Sequence, residues 1–253
     1  MSVRGTRQTG AMHPSDLWDF DDPAGSEQRF RDAASAADGE LRGIWLTQLA
    51  RALGLQERYD EAHAVLDELS PAGSAEVACR LLLEQGRVYR SSGDASHARP
   101  FFEEAAAAAE RARLDELRVD ALHMVALVSE GAEQVAVTER ALAVAAASSD
   151  PRARDWDASL LNNLGMTHAD AGDFARALVV FEEALAARER IGDVGRTRVA
   201  RWMVAWALRN LDRRDEALAL QQALKAELDA LGEEDPYVDE ELAILTSGDT
   251  AGQ

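Results

Sequence analysis

Between Leu17 and Leu245 the apolar residues recur at three- and four-residue steps, the spacing of one face of an α-helix. The stretch from Leu160 to Asp193 shows the pattern most plainly. Leu161 and Leu164 mark one helical stripe, Gly172-Asp173 interrupts it, and Ala177, Phe181 and Ala184 mark a second. Glycine offers the left-handed conformation that stops a helix, and the aspartate after it caps the next one. Stripe, break and stripe together predict an antiparallel helix pair.

The pair is repeated. Leu82, Gly86 and Tyr89, then Gly93-Asp94, then Ala98, Phe102 and Ala105 fall in the same register. Weaker copies run through Leu46, Leu49, Ala50 and Leu53 with Ala62, Leu66 and Leu69, and through Val204, Ala205 and Leu208 with Ala217 and Leu224. A degenerate copy holds Leu122, Val125 and Ala126 before Glu130-Gly131. The small residue of each first helix stands at Ala50, Gly86, Ala126, Gly165 and Ala205, steps of 36, 40, 39 and 40 residues. Such self-similarity marks a solenoid.

In its residues this unit resembles the tetratricopeptide repeat, in an extended form of about 40 residues similar to kinesin-light-chain repeats. Leu161, Leu164 and Gly165 match the first-helix segment, and Ala177, Phe181 and Ala184 the second; His168 stands where the family prefers tyrosine. The start Trp18-Asp19-Phe20-Asp21-Asp22-Pro23 is similar to stand-alone bacterial repeat proteins. The resemblance implies an all-α, right-handed superhelical solenoid of antiparallel helix pairs. One repeat domain is expected over 17–246: a capping helix at about 22–36, five helix pairs at about 39–231 and a second cap at about 234–245. Residues 1–16 and 247–253 lack periodicity and read as disordered tails.

Composition narrows the function. The formal net charge is -19, with 46 acidic residues against 27 basic ones, which excludes nucleic acid as a first expectation. The single cysteine, Cys79, has no partner for an internal disulfide, and no histidine or cysteine cluster has metal-site spacing. No segment has the apolar run of a signal peptide or a membrane span, so a cytoplasmic protein is expected. Neither cofactor nor metal is expected, and no catalytic residue is assigned.

The resemblance implies that the first helix of each repeat lines a concave wall. Inner positions six and three residues before the small residue, and one and four after it, form one stripe. These 20 positions hold five arginines, Arg51, Arg80, Arg87, Arg90 and Arg209, but two acids, Asp120 and Glu130. The groove is therefore expected to be basic in an acidic protein and to invite an anion, the alternative being that its arginines pair with acids on neighbouring helices. Arg198 extends the bias. Asn163 matches the position at which clamp-type repeats hold a terminal carboxylate, although the lysine partners of that clamp are absent; Asn162 lies on the inner stripe, and the alternative for both is a bond to a neighbouring helix. Trp202 and Trp206, four residues apart, offer either core packing or an apolar floor beside the arginines. His123 with Asp120 and Glu130 is the one constellation able to move protons, and is read more readily as a polar packing network.

The expectation is a scaffold that binds an anionic, carboxylate-bearing protein or peptide segment. The alternative is a small-molecule sensor or specialised-metabolism enzyme built around His123, with an anionic small molecule as its partner.

Overall fold

A computed structural model describes residues 12–70 and 73–247. Residues 1–11 and 248–253 of the two expected tails lie outside the described residues; residues 14–16 belong to a short 3-10 turn, Pro14–Leu17. Among the described residues there is no strand, and the architecture is all-α, built of packed helix pairs. By packing, the chain falls into two compact units, Met1–Ala121 and Leu122–Gln253.

The first unit holds α1 (Pro23–Ser35), α2 (Gly39–Leu55), α3 (Tyr59–Asp67), α4 (Ala75–Ser91), α5 (Ala95–Ala112) and most of α6 (Asp115–Ala126). Asp22 caps α1 by accepting from the Gly25 amide, and Pro23 occupies the first helical position, where a missing N–H costs nothing. Phe30 of α1 is fully buried against Trp45, Leu49, Leu53 and Leu66. The 3-10 turn closes this core, with Leu17 and Trp18 packed on it. Its Trp18 indole donates to Gln48 Oε1 at 2.8 Å.

The second unit holds the end of α6, then α7 (Gly131–Ala147), α8 (Pro151–Asp155), α9 (Asp157–Asp170), α10 (Phe174–Ile191), α11 (Val194–Asn210), α12 (Arg214–Leu231) and α13 (Pro236–Thr246). Helices α9 with α10, and α11 with α12, form the pairs, and α13 packs on both α11 and α12. The turn glycine Gly172 has φ +76°, and Asp173 behind it caps α10 through the Arg176 amide.

Both units explain the small residue of the repeat. A Cβ on Gly86 would lie 2.4 Å from the Phe102 ring, and one on Gly165 would lie 2.5 Å from the Phe181 ring. The glycine is the socket into which the second helix inserts a fully buried phenyl group.

Candidate functional site

The arginines of the predicted stripe meet carboxylates of the protein itself. In the first unit, Arg80 Nε lies 2.9 Å from Glu76 of the preceding turn. Arg87 donates both to Glu84, three residues earlier, and to Asp120 of α6. Burial works against the Arg87 charge, but Asp120 and Glu84 outweigh it and hold the guanidinium above its ordinary range. Glu84 is itself only 2% exposed, and its Oε2 is buried without a hydrogen-bond partner. Glu76, Arg80, Glu84 and Arg87 thus form a ladder of alternating charge along one helix.

Two arginines of this unit differ. Arg90 is exposed, and among the described residues it forms no ion pair. Arg51, on α2, is partly buried and likewise has neither hydrogen bond nor ion pair. Its guanidinium carbon lies instead 5.5 Å from the Trp18 ring centroid and 5.4 Å from that of Phe20. Burial pushes Arg51 below its ordinary value; Arg87 and Arg80 act in the same direction, and Glu84 and Asp120 only partly oppose them.

In the second unit, Arg209 makes a two-point contact with Glu241 of α13, at 2.8 and 2.9 Å. Arg198 pairs with Glu227 and Glu233. Trp202 and Trp206 are stacked, with centroids 6.3 Å apart and planes 10° from parallel. They then divide. Trp206, partly buried, packs edge-on against Phe174 and Phe181 at the border of the core. Trp202 donates to the Tyr237 carbonyl at 3.2 Å and lines an apolar cleft of about 340 Å³ with Met203, Leu224, Leu228 and Val238. Val199 and Tyr237 stand exposed at its mouth.

The remaining candidates are spread along α6 and α9. His123 is partly buried with its ring 5.4 Å from that of Trp156, whereas Asp120 is engaged with Arg87. Asn162 and Asn163 are partly buried on α9, and among the described residues neither side chain forms a hydrogen bond. Cys79 is buried, and burial raises its thiol pKa, which suits a packed core residue. Among the described residues no group of three or more histidine, cysteine or acidic side chains is placed to hold a metal, and no helix is long and apolar enough to cross a membrane.

Sequence reasoning missed Trp18 and Phe20, which the chain start displays but which no helical stripe contains. It also missed the acids Glu76, Glu84 and Glu241 as partners of the stripe, although the short spacings of Glu76 and Glu84 from Arg80 and Arg87 signal those pairs.

Residues 156–226 match the tetratricopeptide repeat family model. With the glycine sockets and helix pairs above, residues 156–226 read as tetratricopeptide repeats, and the fold of the chain is tetratricopeptide-like. Among solved structures it is similar to a putative kinesin light chain with TPR-like repeats from Podosopora anserina, at 18% identity and a TM-score of 0.57, covering 75% of this chain and 96% of that one. It is similar to BtubC (BKLC) from P. vanneervenii at 17% identity and a TM-score of 0.60, covering 89% and 94%. The apo quorum sensor NprR from B. thuringiensis gives 15% identity and a TM-score of 0.61, covering 90% of this chain and 64% of that one. No curated protein matches the chain in sequence.

Proposed function

We propose that the chain is a protein- or peptide-binding scaffold that takes a carboxylate-bearing segment on the first-helix face of its N-terminal unit. The observation that carries this reading is Arg51. A partly buried guanidinium with no carboxylate of its own presents donors that water serves poorly, and it gains most from an incoming anion. Exposed Arg90 adds an attractive charge on α4. Arg80 and Arg87 are already matched by Glu76, Glu84 and Asp120, so they frame the site. The shared fold lends support, since NprR is also solved in complex with its cognate peptide NprX.

Display of a peptide library on the purified protein should enrich ligands with a free carboxylate. Arg51→Ala should weaken them about tenfold or more, the value of one charge-assisted contact, while Arg209→Ala should leave the selected sequences unchanged. Equal enrichment by wild type and Arg51→Ala would remove the reading.

The cleft beside Trp202 favours a second reading, in which the C-terminal unit holds an apolar small molecule or side chain. Native mass spectrometry of the protein as purified tests it, through a retained mass that Trp202→Ala releases.

A further inference from the structure

Three aromatic rings climb out of the first core next to the open arginine. Phe30, at the bottom, is fully buried. Trp18 meets it edge-on at 5.0 Å, and Phe20 lies on Trp18 at 4.7 Å with planes 1° from parallel. Phe20 is 51% exposed, and among the described residues Trp18 is its sole aromatic neighbour. The stack on Trp18 orients Phe20, and Trp18 itself is held. Here the turn fixes it: Trp18 donates to Gln48, while the Asp19 amide donates to Ser26 Oγ and the Ser26 hydroxyl donates back to the Asp19 carbonyl. Arg29 completes the clasp by donating to the Leu17 carbonyl at 2.8 Å.

We propose that Phe20 and Arg51 form one subsite for an aromatic carboxylate: a planar ring extends the stack on Phe20 while its carboxylate, a few bonds away, takes the unpaired donors of Arg51. The inference rests on the reading of Arg51 given above and adds the ring to it. Offset stacking supplies the preference for an aromatic group, and the guanidinium fork supplies the preference for a planar anion. The chain around the platform sets an upper limit on ligand charge. Asp19, Asp21 and Asp22 flank Phe20, and their carboxylates disfavour a phosphate or an acidic run, so a single negative charge on an otherwise neutral ring fits best. The C-terminal aromatic residue of a peptide has this chemistry, and so does a free aryl acid.

Calorimetric titration of the full chain compares four probes: N-acetyl-Gly-Gly-Phe, the same peptide as its C-terminal amide, N-acetyl-Gly-Gly-Ala, and 3-phenylpropionate. The phenylalanine acid should bind at least about tenfold tighter than either its amide or the alanine peptide. Arg51→Gln should abolish the acid-over-amide preference. Phe20→Ala, at an exposed position that leaves the core intact by circular dichroism, should abolish the phenylalanine-over-alanine preference and retain the acid preference. Binding of 3-phenylpropionate as tight as that of the peptide supports the subsite and assigns it to the free acid, which overturns the peptide scaffold alone. Arg51-dependent binding of both peptide acids with no advantage for the ring overturns the subsite and leaves the scaffold standing. No binding of any probe overturns both.

Discussion

Gln221 of α12 follows Ala205 of α11 by 16 residues, the register that joins Gly86 to Phe102 and Gly165 to Phe181, and both are fully buried, yet the small residue is an alanine and its counterpart an amide. Gln221 is fully buried, and neither its Nε2 nor its Oε1 has a hydrogen-bond partner. A phenyl ring needs a glycine opposite, because even the Cβ of an alanine would reach into it. The first repeat solves the same problem with Ala50 and Leu66, both buried. Gln221→Leu should therefore stabilise the protein by about 1–3 kcal/mol, the cost of a buried amide left unsatisfied. Thermal unfolding checks it; an unchanged or lower midpoint means that the amide has a partner in solution.

The inter-helix turns give a second comparison. Gly93 and Gly172 adopt positive φ, and at the equivalent places in the first and fifth repeats Glu57 and Asp212 do so at φ 61° and 60°. Aspartate tolerates this region better than glutamate. Glu57→Gly should raise stability by about 0.5–1 kcal/mol, and Gly172→Ala should lower it by about 1 kcal/mol. Chemical denaturation of the pair reads both signs.

These two features show what was legible in the sequence. Helix pairs, glycine sockets and Gly-Asp turns are local, so periodicity and spacing alone reveal them. The charge state of the first-helix face is not local. Counting arginines on a stripe makes the face basic, but Asp120 and Glu241 reach Arg87 and Arg209 from other helices, and Glu84 neutralises from within α4. The Phe20 platform is invisible for the opposite reason: it lies in a turn that follows no helical period.

Glu27 gives the pH dependence. It receives Gln56 at 2.9 Å, Arg31 at 2.8 Å and Arg58 at 2.6 Å, tying α1 to the end of α2 and the start of α3. Burial raises its pKa, but these partners outweigh it and the net shift is below the ordinary 4.5. A group lowered in the folded state contributes stability above its unfolded value and loses it as the pH falls through the folded one. Stability should thus drop on acidification below about pH 4.5, and Glu27→Gln should flatten that part of the curve. A variant whose acid limb is as steep as wild type means that other carboxylates dominate.

Arg209 separates structural arginines from binding ones. Its two contacts clamp α11 to α13, and the Glu241 side chain beneath it is 6% exposed against 23% for the arginine. Removing the guanidinium strands a nearly buried carboxylate, whereas removing both groups strands nothing. Arg209→Ala should cost roughly 2–3 kcal/mol, below the full cost for a buried pair because the arginine is partly solvated. Arg209→Ala with Glu241→Ala should cost less than the sum of the singles. Hydrogen exchange should show α13, which buries Val238 and Leu245, opening first in the single variant. Full stability with lost peptide binding in Arg209→Ala would instead move Arg209 beside Arg51 as a ligand-contacting arginine.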